Sequence, residues 1–262
     1  MNKQPIGIFD SGVGGLSIWK EITQLLPFED TIYLADSKNA PYGEKSKEEI
    51  LELCLKNTNI LLEKGCKLIV VACNTATTNA IQILRETYKI PFIGIEPAIK
   101  PATLKTKTNT IGILATKGTL NSSLFAETSE KHKAGIVIIE TIGTGLVQLI
   151  EDNNLESKEM HILLESYIQP MLAKQIDCLV LGCTHYPFLI PKIKNITGST
   201  VEIIDSGLAV AKQTMAILNE KKLINTSQNT SQHHIYSNTH LKAVKMLLDN
   251  YLKNTELHLE KY

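Results

Sequence analysis

Long hydrophobic runs are missing from this 262-residue chain. Its main apolar stretches, such as Leu68 to Cys73 and Cys178 to Cys183, are strand-sized and fall far short of the roughly 20 residues a membrane helix needs, so no membrane span is expected. The N-terminus lacks the apolar segment and small-residue cleavage site of a secretory leader, because Lys3 is followed at once by Ile6 to Phe9 and a glycine-rich turn. A cytoplasmic location is the default. An excess of either charge is also absent, with 27 Lys plus Arg against 27 Asp plus Glu. Without a global basic field, direct nucleic-acid binding is not expected. The five cysteines are odd in number and show no CxxC spacing. They fit reduced thiols better than a disulfide framework or a zinc cluster. The Asn-x-Ser/Thr triplets at Asn121, Asn225 and Asn229 therefore carry little weight.

Hydrophobic residues at 43% and charged residues at 21% are those of a folded globular chain. Short β-type runs (Ile6 to Phe9, Thr31 to Ala35, Leu68 to Ala72, Phe92 to Ile95, Thr110 to Leu114, Ile136 to Ile139, Cys178 to Gly182, Val201 to Ile204) alternate with longer amphipathic stretches. Such alternation predicts an α/β protein with mostly parallel sheets. Ser46 and Glu49 form a capping-box signature and Gly65 a stop signal, which predicts a helix over 46–64. A polar loop from Asn225 to Gln232 precedes a final strand and helix. His233 and His234, at its end, are expected to have no chemical role. Leu241, Val244, Leu247, Leu248, Tyr251 and Leu252 have the spacing of a helical packing face.

The two halves of the chain resemble each other at an offset of roughly 105–110 residues, the size of a small domain. Gly7-Ile8-Phe9-Asp10-Ser11-Gly12 is matched by Gly112-Ile113-Leu114-Ala115-Thr116-Lys117. Leu68 to Thr75 aligns without gaps on Cys178 to His185, and each apolar run ends in a cysteine. Ile95-Glu96-Pro97 is matched by Ile204-Asp205-Ser206. Three matches in one order suggest two related α/β halves. Working residues of open α/β sheets lie just past the carboxyl ends of the strands, where Cys73 and Cys183 fall, so a pseudo-twofold arrangement would turn both toward one cleft.

Cys54, Cys66 and Cys178 read as small core residues. Cys73 and Cys183 instead leave the sheet into Asn-Thr and Thr-His, and a helix N-terminus there would favour the thiolate. A thiolate on one side of a carbon and a thiol on the other can remove a proton and return one to the opposite face, inverting the centre. Contacts of about 3–3.5 Å on each side would hold the sulfurs about 6–7 Å apart, too far for a disulfide. Other readings of the motifs are weaker. Asp10 to Gly15 could be a turn whose glycines only supply permissive backbone angles, but it has neither the Lys-Ser/Thr pair of a P-loop nor dinucleotide spacing. Gly12 stands where an aspartyl phosphatase would carry a second Asp. Asn79 and Leu189 stand where cysteine phosphatases would carry Arg. Zinc held by Cys73, Cys183 and His185 is a chemically sensible alternative.

Phe9-Asp10-Ser11-Gly12-Val13-Gly14-Gly15, Pro41-Tyr42-Gly43, Ala72-Cys73-Asn74-Thr75-Ala76 and Gly182-Cys183-Thr184-His185-Tyr186-Pro187 together resemble the glutamate racemases of the aspartate/glutamate racemase family, over nearly the whole chain. The resemblance implies a cofactor-independent, metal-free racemase that interconverts L- and D-glutamate and supplies D-glutamate for bacterial peptidoglycan. It implies two pseudo-symmetric α/β domains, each with a mostly parallel sheet flanked by helices, and an active site in the cleft between them. The first would span 1–97 plus 207–262 and carry Cys73, the second 98–206 and carry Cys183, usually in a homodimer. Cys73 and Cys183 are then the acid/base thiols, assisted by Asp10 and His185. Asp10, Ser11, Tyr42, Gly43, Asn74, Thr75, Thr184 and His185 are the substrate contacts, and Glu151 is a further acidic candidate. Aspartate racemisation is the nearest alternative, which His185 and Tyr186 disfavour. A non-catalytic amino-acid-binding or gyrase-interacting protein is the alternative from another class. Ala35 to Lys38 is a variable stretch that departs from the family pattern and is expected to affect either access to the cleft or regulation.

Overall fold

In a computed structural model describing residues 3–132, 135–227, 229–248 and 255–260, the apolar runs become ten strands. These are β1 (Ile6–Asp10), β2 (Thr31–Ala35), β3 (Leu68–Val71), β4 (Phe92–Gly94), β5 (Thr110–Ala115), β6 (Val137–Ile142), β7 (Cys178–Gly182), β8 (Glu202–Ile204), β9 (His233–Ser237) and β10 (Thr255–Leu259). They form a six-stranded sheet of order β10-β9-β2-β1-β3-β4 and a four-stranded sheet of order β6-β5-β7-β8. Every pairing is parallel. Without β9 and β10, the first sheet has the same order as the second, so the repeat in the sequence is a repeat of topology. Parallel sheets are covered on both faces, which is why β1, β2, β3 and β7 are buried along their whole length.

The covering helices are α1 (Leu16–Leu25), α2 (Lys47–Glu63), α3 (Asn74–Thr87), α4 (Ile99–Lys105), α5 (Lys117–Leu120), α6 (Ser123–His132), α7 (Leu146–Glu151), α8 (Lys158–Leu172), α9 (Ile190–Thr197), α10 (Gly207–Glu220) and α11 (Lys242–Leu247). Helix α2 starts where its capping box predicts: Glu49 N–H donates to Ser46 Oγ and Ser46 N–H to Glu49 Oε2. It buries Ile50, Cys54 and Leu61, and the chain leaves it through Gly65 at φ +77°, a conformation that disfavours a side chain. Helix α1 inserts Leu16, Ile18, Trp19 and Ile22 into the core, each worth about 1.5–3 kcal/mol when fully buried. Cys54, Cys66 and Cys178 pack into apolar clusters. Burial pushes the Cys66 thiol up to about 12 and the Cys178 thiol up to about 11, so neither is a ready nucleophile.

The C-terminal region differs from expectation. The helical spacing that begins at Leu241 gives the short α11, with Val244, Leu247 and Leu248 buried, while Tyr251 and Leu252 lie outside the described residues. Strand β10 then joins the sheet beside β9. Its residues alternate polar and apolar only from Glu256 on, over too short a run to stand out in the sequence. His233 is not an idle loop residue. It is buried at the start of β9, with Nδ1 2.9 Å from Thr31 Oγ1 and its ring edge-on to Trp19.

Candidate active site

Strands β1, β3, β5 and β7 present their carboxyl ends to one region, and a single narrow cavity lies there. Ser11, Tyr42, Gly43, Cys73, Asn74 and Thr75 reach it from the six-stranded side, and Cys183, Thr184 and His185 from the four-stranded side. Pro41, Thr116 and Val147 complete the wall. Of these three, Thr116 was readable in principle, because the repeat aligns it with Ser11. A broader cleft of about 470 Å³ adjoins the cavity and shares Pro41, Gly43, Thr116 and Val147 with it. A larger depression of about 680 Å³, against Lys105, Lys107, Asp177 and Lys194, contains none of the site residues.

Cys73 caps α3: its Sγ accepts the Ala76 N–H at 3.4 Å and lies 3.7 Å from Ser11 Oγ. The helix N-terminus expected from the sequence is therefore present, and its amide favours the thiolate. Burial and the nearby Asp10 carboxylate outweigh it, and the Cys73 thiol is held well above its usual range. A charge on Cys183 would add to that effect, which links the two sulfurs electrostatically. Cys183 has no such cap. A 3₁₀ turn (Tyr186–Leu189) follows it, and the partner of its sulfur is His185 Nδ1 at 3.8 Å.

His185 is part of a relay. Its Nε2 lies 2.6 Å from Glu151 Oε1, and both side chains are buried. Glu151 also accepts the Val13 N–H at 2.7 Å and the Ser37 hydroxyl at 2.7 Å, so it is held by both sheets. Burial alone would keep His185 neutral, but its bonds to Cys183 and Glu151 raise it well above the usual imidazole range. Burial likewise opposes ionisation of Glu151, and the contacts with His185, Ser37 and Val13 reverse this and lower it. Each partner therefore favours the charged form of the other.

Asp10 does not line the cavity. It is completely buried behind the wall, where Oδ2 accepts the Gly15 N–H at 2.8 Å and Oδ1 the Thr184 hydroxyl at 3.4 Å. Burial raises its carboxyl above the ordinary value of 3.8 despite the opposing charge of His185. The Tyr42 hydroxyl donates to Asp36 Oδ2 at 2.5 Å and accepts from Asn57 Nδ2 at 3.2 Å. Burial and Asp36 keep that phenol protonated. Thr75 Oγ1 meets Thr116 Oγ1 at 2.8 Å across the cleft. Asn74 is the exception. Both atoms of its buried amide lack a hydrogen-bond partner, so a donor and an acceptor remain available to a polar ligand.

Two features differ from the sequence reading. Ala35 to Lys38 is not simply a gate to the cleft, since Asp36 fixes Tyr42 and Ser37 fixes Glu151. The glycines after Asp10 do not serve permissive angles either, because none of Gly12, Gly14 and Gly15 has a positive φ. They allow close approach. A Cβ on Gly12 would lie 1.9 Å from Glu151 Oε1, and one on Gly14 would lie 2.2 Å from His185 Nδ1.

Comparison with known proteins places the whole chain. The sequence model of the family described as Asp/Glu/Hydantoin racemase matches residues 6–214. A glutamate racemase from Herpetosiphon aurantiacus is 47% identical over 232 residues, covering 88% of this chain and 91% of that protein. The crystal structure of glutamate racemase isoform RacE1 from Bacillus anthracis superposes with a TM-score of 0.87 at 29% identity, covering 100% of this chain and 98% of that one. The glutamate racemase from Francisella tularensis subsp. tularensis, in complex with D-glutamate, gives a TM-score of 0.83 at 32% identity, covering 100% and 98%. With its repeated sheets converging on paired cysteines and with matches that span most of its length, the chain belongs to the Asp/Glu/Hydantoin racemase family.

Proposed function

We propose that this protein is a glutamate racemase in which Cys73 and Cys183 act as the two acid/base groups. One observation carries the reading: two free cysteines from different sheets line the same cavity. One sulfur, as thiolate, takes the Cα proton, and the C–H electron pair stays on a planar carbanion conjugated with the α-carboxylate. The opposite thiol then delivers its proton to the other face and becomes the thiolate. Each turnover therefore exchanges the protonation states of the two cysteines. An α-carbon is a very weak acid, so the developing charge needs preorganised polar groups. Ser11, Asn74, Thr75 and Thr184 fit that role as substrate contacts, with the Gly43 backbone and Tyr42 beside them. His185 is the group that can accept or return a proton at Cys183, with Glu151 positioning it and sustaining its charge. Asp10, behind the wall, acts on the Cys73 side through charge and through the Gly15 and Thr184 contacts.

The cavity has a volume of about 10 Å³, room for one water at most. Substrate must therefore part the walls, through the adjoining cleft. The contacts across the divide that would give way include Val13 N–H and the Ser37 hydroxyl to Glu151, the Ser17 hydroxyl to the Thr184 carbonyl, the Thr184 hydroxyl to Asp10, and Thr75 to Thr116. Domains of 1–97 plus 207–262 and 98–206 fit this motion, since each contains one complete sheet. No described helix is long and apolar enough to cross a membrane. A homodimer and a cytoplasmic location follow from the family reading; light scattering tests the first.

The decisive test incubates the purified protein with L-glutamate in deuterated water without pyridoxal phosphate. Loss of optical rotation with deuterium entering Cα is the expected result. Inversion of aspartate but not glutamate would overturn the substrate assignment, and the absence of exchange with both would overturn the enzymatic reading.

A further inference from the structure

Along the outer edge of the six-stranded sheet, β9 and β10 run parallel, with His234 opposite Glu256 and Tyr236 opposite His258. Side chains two apart on a strand share a face, so these four project together. His234 Nδ1 and His258 Nε2 lie 3.1 Å apart. Glu256 Oε2 lies 3.4 Å from the first and 3.6 Å from the second. All three donor groups are within reach of solvent, with side chains 30%, 34% and 68% exposed for His234, His258 and Glu256.

We propose that His234, Glu256 and His258 form a binding site for a divalent transition-metal ion, zinc above all. The donor set of two imidazoles and a carboxylate is the chemistry of zinc, copper or nickel rather than of calcium or magnesium. The spacing fits as well. With metal–nitrogen distances of about 2.05 Å and a metal–oxygen distance of about 2.1 Å, the three separations correspond to angles at the metal of about 98°, 110° and 120°. Those are the angles of three corners of a tetrahedron, with the fourth corner left to solvent. The carboxylate also offsets half of the ion's charge.

The surroundings hold the ligands in place. Tyr236 stacks on His258 with ring centroids 4.6 Å apart, and His234 stacks on His258 at 5.3 Å. Lys64, the nearby cation, sits over the other part of this cluster, 4.0 Å from the Tyr236 centroid, and is paired with Glu260 at 3.8 Å. Among the described residues, this is the group of three such donors whose ligating atoms all lie within 4.8 Å of one another. It is remote in the fold from the cysteines, because it lies at the sheet's edge while they follow central strands. A metal here would join β10, the last strand of the sheet, to β9 by its side chains as well as its backbone.

The test uses full-length protein without a histidine tag, stripped with chelator. Zn²⁺ is titrated by calorimetry and Co²⁺ by visible absorption. One equivalent of metal should bind, with the intense bands of tetrahedral Co²⁺. His258→Ala, His234→Ala and Glu256→Gln should each weaken binding by at least about tenfold, the scale of losing even an outer-shell partner. His161→Ala, at an exposed histidine elsewhere, should leave it unchanged. Zn²⁺ should also slow amide hydrogen exchange over residues 255–260 in the wild type and not in Glu256→Gln, a surface substitution that leaves folding intact. Racemisation measured without metal should be the same in Glu256→Gln and wild type. The proposal is overturned by the absence of saturable binding, by wild-type affinity in the three variants, or by a sulfur-to-cobalt charge-transfer band that disappears in Cys73→Ala.

Discussion

Cys73 and Cys183 occupy matching positions after the third strand of matching four-strand units, yet their surroundings have little in common. Cys73 is held by a helix amide and a serine hydroxyl, with a buried aspartate behind the wall. Cys183 faces a histidine whose protonated form is favoured by the sulfur itself and by a glutamate. Topology thus supplies two equivalent positions for sulfur, while local residues decide how each handles its proton. Inversion is a symmetric reaction, and here it is carried out by unsymmetric groups.

Removing either sulfur breaks the comparison most completely. Cys73→Ala and Cys183→Ala should each abolish racemisation, followed by polarimetry, whereas Cys54→Ala, in the apolar core, should leave it nearly intact. Substantial activity in either of the first two would refute the paired-thiol reading. Next come the partners of the sulfurs. His185→Gln and Glu151→Gln should lower kcat by about 10²–10⁴, the scale of general acid/base groups. Ser11→Ala on the other side should cost no more than about tenfold, the worth of one neutral hydrogen bond. Gly14→Ala removes no functional atom, yet its methyl would collide with His185, and a displacement of about 1 Å predicts a loss of about 10². Equal losses for Ser11→Ala and His185→Gln would remove the asymmetry.

How far this site was legible follows from where its parts lie in the chain. The cysteines, the strands before them and the Ser46 capping box are local patterns, and the duplication made the cysteines stand out. Glu151 was reached only through family resemblance, because its neighbours are generic and its partner Val13 is 138 residues away. The same distance effect hid part of the setting of Asp36: its contact with Tyr42 is only six residues along the chain, but its other partner Asn238 is separated from it by 202. The glycines were visible but their part in the site was not, since a sequence displays the absence of a side chain and not the atom that fills the space. Strand β10 was missed because sheet pairing, rather than local periodicity, defines so short an edge element.

A second contrast between the halves lies at the opposite ends of the strands. The residue entering β3 is Lys67 and its counterpart entering β7 is Asp177. Lys67 forms a nearly fully buried ion pair with Glu29 at 2.5 Å. Asp177, half-buried, accepts from the Thr106 hydroxyl and from the Lys107 and Thr108 amides. Breaking the buried pair strands a charge in the interior, so Lys67→Ala should cost about 3–5 kcal/mol in urea unfolding. Asp177→Ala should cost about 1–3 kcal/mol, because loop amides freed near the surface can turn to water. Reversal of that order would mean that the second half, not the first, is the more rigid platform.

The smallest expected effect concerns Asp10, which stands at the end of β1 where the second half has Ala115. Its folded-state carboxyl is raised by burial, so folding favours the protonated form. The stability this group contributes is complete below the ordinary value of 3.8 and is lost as pH rises through the folded value. Above that folded value the ionised side chain is a net cost to the fold, one that a binding site tolerates for function. Asp10→Asn keeps an oxygen to accept the Gly15 N–H and an amide that can donate to Thr184, without the buried charge. It should stabilise the protein by about 0.5–2 kcal/mol at pH 7, a rise in Tm of a few degrees for a chain of this size. The gain should vanish near pH 3, while racemisation falls across the whole pH range. A variant that is less stable at pH 7 than the wild type would mean that the Asp10 charge holds the two halves together, in which case the difference between the cysteines is imposed by the fold and not by catalysis.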